Sequence, residues 1–392
     1  MAETRAALLA ALTARLPEAV ELRHRLHAVP ETGNREHRTG ALLADELREL
    51  RVQRVAGTGL LVRSGPARGP TVALRAELDG LALRERTGAA FAADNGNMHA
   101  CGHDVHMAAL TAVVRAVEDA GPPVGLLGVF QPSEEAYPSG ARRIVEEGAL
   151  AHHDVRAVVA VHAHPDPGWG SVAVGAGPVN ASADELRIVV EGAGGHGAYP
   201  HRSRDAVVAL SQVVVALQQV VSRRTDPMRA VVLSIGCVRA GSAPNALPAT
   251  AEAGGILRCL DPGDRLPLRE VVRDVATHAA RACGCRARVD VVEGEPALVN
   301  DVRLAEATRE LLPALGLRAG EALRSCGADD FGFYHDVAPV LMLFCGLGGG
   351  PGGGDRPLHH PGFLPPDEAV EATARALLAG YLAATPPEGD PR

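Results

Sequence analysis

Residues 97–106 read NMHACGHDVH, which puts His99, Cys101, His103, Asp104 and His106 within eight positions around Gly102. A helix would scatter these side chains around its circumference. A tight turn at Gly102 can instead aim Cys101 and His103 at one point. Thiolate and imidazole are good ligands for a borderline-soft divalent metal. The apolar run that follows predicts a helix over 107–120, with the cluster in the turn ahead of it. Two ligands do not hold a metal, so the others must come from elsewhere in the chain.

Working outward, short apolar strands end repeatedly in polar clusters. Strand 71–76 delivers Glu77 and Asp79, strand 124–130 delivers Glu134 and Glu135, and strand 157–162 delivers His162 and His164. Acidic and basic groups at strand ends are where open α/β sheets put functional residues. Strands alternating with helices at 107–120 and 140–148 predict a largely parallel sheet. The N-terminal helix spans 6–26, with Pro17 starting a new helical segment. From 185 to 293 the order becomes β-α-β-β-α-β, a split-βαβ, ferredoxin-like arrangement inserted into the first domain. The fold class is therefore α/β with an inserted α+β domain. The boundaries fall at 1–180, 181–294 and 295–392. The glycine-rich stretch 346–354 reads as a flexible lid or linker, and the tail 386–392 as frayed.

The chain has 392 residues, enough for two or three domains, with 46% hydrophobic, 22% charged and 3% aromatic residues. A net charge of −8 and the lack of a basic aromatic tract argue against nucleic acid as a partner. The most apolar segment, 206–221, is interrupted by Ser211, Gln212, Gln218 and Gln219, so no membrane span is expected. Seven cysteines in so long a chain fit reduced thiols, and no leader is recognisable, which together predict a cytoplasmic protein.

Taken together, the clusters offer Asp79, Cys101, His103, Glu134, Glu135, His162, His164, His359 and His360, a mixed set suited to zinc, manganese, cobalt or nickel. Adjacent glutamates leave the backbone in different directions, so one can bind metal while its neighbour takes a proton from an activated water. The same acidic pair is also what a helix N-terminus attracts.

The strings LRHRLHAVPETG, VALRAELDGL, GNMHACGHDVHMAAL, VFQPSEE, EGAGGHGAYPH, GSAPNALPATAEAGGILR, DDFGFY and LHHPGF run in order over nearly the whole chain. This pattern resembles the metal-dependent amidohydrolase family of aminoacylases, hippurate hydrolases and auxin-conjugate hydrolases. The resemblance implies one or two divalent metal ions, held by Cys101, His103, Glu135, His162 and His359. It implies Glu134 as general base, Asp79 behind the ligands and His196 on the scissile carbonyl, with Asn245 and Arg258 on the substrate side. It further implies a lid domain that pairs two copies into a homodimer, and a small N-acyl amino acid as substrate. A dipeptidase or carboxypeptidase of the same superfamily, or a metal-binding protein without turnover, are the alternatives. Glu77, Leu83, Ser133 and Asp329 stand where the family usually has aspartate, proline, alanine and glutamate, which bears on substrate rather than reaction class. His24, His27, His99 and His106 lie in the shared strings and are expected to support or pack.

Overall fold

The computed structural model describes residues 2–351 and 356–385, so the tail 386–392 and part of the 346–354 stretch lie outside the described residues. The chain divides into two compact units. One comprises Met1–Gly177, Val299–Leu323 and Asp330–Arg392; the other comprises Pro178–Leu298 and Arg324–Asp329.

The chain begins with α1 (Ala2–His27), α2 (His37–Glu46), β1 (Arg51–Val55), β2 (Gly59–Ser64), β3 (Thr71–Glu77) and α3 (His103–Ala120). It continues with β4 (Gly125–Gln131), α4 (Gly140–Glu146), β5 (Val155–Gly168), β6 (Ser171–Ala173) and β7 (Gly177–Asn180). Then come β8 (Ser182–Glu191), β9 (Gly195–His196), α5 (Ala206–Arg224), β10 (Val231–Ala240), β11 (Ala246–Leu247) and β12 (Thr250–Cys259). After α6 (Pro262–Ala282), β13 (Arg286–Glu293) and β14 (Leu298–Asn300), the chain closes with α7 (Val302–Leu311), β15 (Arg318–Gly320), β16 (Val340–Gly348) and α8 (Glu368–Ala383).

The first unit is built on an eight-stranded sheet ordered β1-β2-β4-β3-β5-β16-β6-β15. Its centre, from β4 through β3 and β5 to β16, is parallel. Every residue of β3 and β4 is buried. That is why these strands read as apolar runs up to their last residues, Arg75 and Glu77 in β3 and Gln131 in β4, rather than as alternating ones: helices cover both faces of a parallel sheet. Leu8, Leu12 and Leu22 of α1, Val105 and Leu110 of α3, and Leu377 and Tyr381 of α8 belong to the same core. The parallel strands bring the ends of β3 and β4 to one edge of the sheet, where the polar residues gather.

Four local expectations are corrected. Pro17 lies inside α1 and starts no new segment. It stands on the exposed side of the helix, as does Thr13, so water can serve the Thr13 carbonyl that loses its backbone donor. Helix α3 starts at His103 rather than 107. Gly102 has φ +84, a left-handed value that reverses the chain in one residue, so no longer turn is needed. Asp104 then sits in the first turn, where the helix dipole favours an acid. Strand β5 runs on to Gly168, so His162 and His164 lie within it and not at its end. Its continuation pairs with β16, His162 opposite Phe344 and Gly168 opposite Gly348. The start of the glycine-rich stretch is therefore strand rather than flexible linker. A Cβ at Gly346 would come within 2.3 Å of the Gly168 carbonyl oxygen, and one at Gly348 within 2.6 Å of that of Pro165.

The second unit has an antiparallel four-stranded sheet ordered β10-β12-β8-β13. Helices α5 and α6 supply the rest of its core. The strands of this sheet and the two helices follow in chain order β8-α5-β10-β12-α6-β13, a β-α-β-β-α-β arrangement, and β9 and β11 form a separate two-stranded ladder. By length and composition α5 is apolar enough to cross a membrane. In this fold Ala206, Ala209, Leu210, Val213, Leu217 and Val220 of that helix are buried in the unit's own core. Asp205 caps α5 by accepting from the amides of Val207 and Val208.

Candidate active site

The site of the first unit grows from the turn before α3. Cys101 is buried, and its Sγ lies 3.4 Å from Nε2 of His162. His103 Nδ1 is 2.8 Å from the backbone carbonyl oxygen of Asp79. A carbonyl only accepts, so Nδ1 carries a proton and Nε2 is the nitrogen left to face a metal. His162 does the same, with Nδ1 2.8 Å from the carbonyl oxygen of Ala163. Nε2 of His103 is buried without a hydrogen-bond partner. A buried polar nitrogen left without a partner is costly unless something outside the polypeptide completes it.

The loop after β4 brings the carboxylates. The Glu135 amide donates to Asp79 Oδ2 at 2.9 Å, which ties this loop to the end of β3. Glu135 Oε1 is 3.0 Å from Nε2 of His359. The backbone of His359 has φ +64, and its N–H donates to the Ala100 carbonyl at 2.9 Å. The loop after β16 is thereby fastened to the turn that carries Cys101. Three overlapping donor groups result: Cys101, His103 and His162; Cys101, Glu135 and His359; and His103, Glu134 and Glu135. Within each group the ligand atoms lie within 4.8 Å of one another. All five residues expected to hold metal, and the expected base, thus meet at one place.

The electrostatics favour a cation. Burial, followed by the charges of Glu135 and Glu134, pushes the Cys101 thiol well above its ordinary pKa. Burial works against charge on His103, but Glu77, Asp79 and Glu135 outweigh it and raise its pKa to about 10. Burial also works against the Glu135 carboxylate, but His359 and His103 hold its pKa below the usual value. Burial, together with His106, takes His162 down to about 3. Two carboxylates crowded beside a buried thiol form a donor set whose charge a divalent ion would neutralise. Soft sulfur, two imidazole nitrogens with fixed tautomers and a carboxylate fit a transition metal.

Behind the ligands lies a polar network that sequence reasoning left unresolved. His106 Nδ1 donates to Glu77 Oε2 at 2.8 Å, and its Nε2 accepts the Ala163 amide at 2.9 Å. Glu77 also pairs with Arg75. Arg75 reaches Gln131 at 2.9 Å and Asp330 at 2.8 Å. Burial opposes the Glu77 charge, but Arg75 and His106 hold its pKa well down. Of the other histidines, His27 faces Asp104 at 2.9 Å and Glu85 at 3.1 Å, and His24 faces Asp367 at 2.9 Å. His99 is buried with neither ring nitrogen bonded. The H-x-x-H spacing of His103 and His106 on α3 was the available signal for the network, because it places both rings on one helix face.

The remaining expected residues belong to the second unit. His196 sits on β9 opposite Ala246 of β11, and the amide of the adjacent Gly197 donates to the Asn245 carbonyl at 2.8 Å. His196 and Asn245 are therefore neighbours. Arg258 lies on β12, with Nη1 buried and unpartnered.

An α/β sheet carrying this donor set at one edge, interrupted by a β-α-β-β-α-β unit, defines a metal-binding hydrolase. The pattern of peptidase family M20/M25/M40 matches residues 73–381, and the chain belongs to that family. It is 33% identical over 358 residues to N-acetyl-L-cysteine deacetylase of Bacillus subtilis, covering 90% of this chain and 84% of the relative. It is 32% identical over 375 residues to N-acetyldiaminopimelate deacetylase of the same organism, covering 94% and 98%. Among solved structures, the Bacillus subtilis YXEP protein, described as a dinuclear metal-binding peptidase of this family, superposes with a TM-score of 0.82 at 29% identity, covering 95% and 98%. The chain is a hydrolytic enzyme acting on amide bonds.

Proposed function

We propose that the chain hydrolyses the amide bond of N-acyl amino acids, releasing a carboxylic acid and a free amino acid. The observation that carries this reading is the convergence of Cys101, His103, Glu134, Glu135, His162 and His359 in overlapping donor groups, in a chain whose relatives are named as deacetylases of N-acetylcysteine and N-acetyldiaminopimelate.

Cys101, His103, Glu135, His162 and His359 would hold one or two divalent ions, with zinc, manganese, cobalt and nickel all compatible with the donors. Such ions supply Lewis-acid activation of water and carbonyl. Glu134 takes the proton of the attacking water and passes it to the leaving amine, because it stands beside the ligands without being needed as one. Asp79 fixes the geometry twice, through its carbonyl on His103 and its carboxylate on Glu135. His196 stabilises the oxyanion of the tetrahedral intermediate. The buried, unpartnered Nη1 of Arg258, with Asn245, suits the substrate carboxylate. The second unit serves as a ferredoxin-like lid and pairs two copies, and the protein works in the cytoplasm on a free small molecule.

The test compares hydrolysis of N-acetyl, N-benzoyl and longer acyl amino acids with that of free dipeptides, using metal-reconstituted protein. Turnover of acylated substrates that is lost in Glu134→Gln is expected. Turnover of free dipeptides alone, or full activity in Glu134→Gln, would overturn the reading.

A further inference from the structure

We infer that Glu36 is a positioning residue for Glu134: its buried carboxylate clamps the base-bearing loop into a backbone shape the loop would not keep alone. The inference rests on the reading of Glu134 as the base. It gives a task to the PETGNRE segment, 30–36, which the donor set leaves unused.

Ser133, directly before Glu134, is buried and has φ +49, a left-handed value that L residues with a side chain avoid. Such a conformation persists only where the surroundings impose it. Here they do. The Ser133 amide donates to Glu36 Oε1 at 2.7 Å. The same oxygen accepts the Asn34 amide at 3.0 Å, and Oε2 accepts the Thr58 hydroxyl at 2.7 Å. Asn34 Nδ2 donates to Ser133 Oγ at 2.7 Å, and that hydroxyl donates to the Ala136 carbonyl at 2.8 Å. Arg143 holds the Asn34 side chain from behind at 2.9 Å.

Glu36 is fully buried, and burial raises its pKa. A carboxylate is an expensive core filler unless its bonds are needed. Two of its three donors are main-chain amides of irregular segments, which have no ladder to join. The residue after Glu134 is anchored separately, by Asp79 on the Glu135 amide. Glu134 therefore hangs between two fixed peptides, one held by Glu36 and one by Asp79. A base must sit within hydrogen-bond reach of its proton, and a displacement of about 1 Å can cost about 10²-fold in rate.

The experiment compares Glu36→Ala, Glu36→Gln and Asn34→Gly, each alone and with Glu134→Gln. Glutamine keeps the shape: its Oε1 can take both amides and its Nε2 can donate to Thr58 Oγ1. Glycine at 34 keeps the positive φ of 62 but removes the Ser133 contact. Glu36→Ala should lower kcat on an N-acetyl amino acid about 10²-fold, with KM and bound metal per chain unchanged. Glu36→Gln should stay within about threefold of the parent, and Asn34→Gly should fall in between. In the Glu134→Gln background, Glu36→Ala should add little, because both act through one group. Hydrogen exchange supplies a readout without turnover: the Ser133 amide should exchange faster in Glu36→Ala but not in Glu36→Gln. Unchanged exchange at Ser133, an equal fall in Glu36→Gln, or loss of metal together with kcat would each overturn the clamp. Should Glu36→Ala fail to fold, an unchanged kcat in Asn34→Gly overturns it instead. An unmodified enzyme inert on every acyl amino acid would sink the functional reading, and Ser133 exchange would still decide the clamp.

Discussion

Two buried charge clusters, one in each unit, are built on opposite logic. In the second unit, Asp184 accepts from Arg265 and Arg269 in paired fashion, with contacts of 2.7 Å to Nη2 of Arg265 and of 2.6 and 2.7 Å to Arg269. Arg265 Nη2 also donates to the carbonyls of Gly294 at 3.0 Å and Ala183 at 3.4 Å. Donors and acceptors match, and Glu293 at the exposed rim takes a further contact from each arginine at 3.4 Å. In the first unit, the donors around Cys101 do not match. Nε2 of His103 is buried with no hydrogen-bond partner, and Oδ1 of Asp79 has only Nδ1 of His103, 3.6 Å away. A closed cluster holds a fold together, whereas an open one holds something else.

That contrast can be broken or sharpened. The largest effect belongs to metal removal: dialysis against a chelator should abolish hydrolysis, and added zinc, manganese, cobalt or nickel should restore it, followed by activity and metal analysis. Activity that survives complete removal would erase the distinction. Next, Glu134→Gln should lower kcat on the order of 10²–10⁴-fold while leaving metal content intact, measured by steady-state kinetics and metal analysis. Asp184→Ala should leave metal binding alone but destabilise the second unit by about 3 kcal/mol, read by denaturant unfolding, because two guanidinium groups lose their partner.

The Asp184 effect has a pH signature. Burial raises its pKa, but Arg269 and Arg265 hold it below 3.8 in the fold. A depressed folded pKa means stability that is present above about 3.9 and lost as pH falls through the lower folded value. The stability gap between the parent and Asp184→Asn should therefore be constant from pH 5 to 7 and shrink in stronger acid. His27 gives the opposite sign and the smallest effect. Burial lowers its pKa, but Asp104 and Glu85 outweigh this and raise it to about 9. Its contribution should be complete below about 6.5 and fade as pH rises through about 9. Unfolding of His27→Gln beside the parent at pH 6 and pH 9.5 checks this: a gap that widens at high pH would refute the assignment.

Much of this was legible beforehand. The candidate ligands sit in short strings whose residue types declare their chemistry, and strand-end placement of Glu77, Asp79, Glu134 and Glu135 follows from apolar runs that stop. Boundaries were harder. The start of α3 depended on the φ of one glycine, which composition does not reveal. The length of β5 depended on its partner β16, whose glycines look like linker until a strand is laid against them. Hardest of all were contacts between distant positions. Glu36 and Ser133 are 97 residues apart, and no local pattern in either segment names the other. Arg75 and Asp330 are separated still further.

One feature of the donor set bears on how the protein tolerates change. His103 and His162 take their tautomers from main-chain carbonyls, those of Asp79 and Ala163. A carbonyl is present whatever side chain the position carries. Replacement of Ala163 by glycine leaves that acceptor where it was, so the ring of His162 keeps the same nitrogen free. The choice of nitrogen is thus insulated from sequence drift at the positions that set it, while the proton affinity of each ring stays open to the charged side chains around it, Glu77, Asp79 and Glu135 at His103 and His106 at His162.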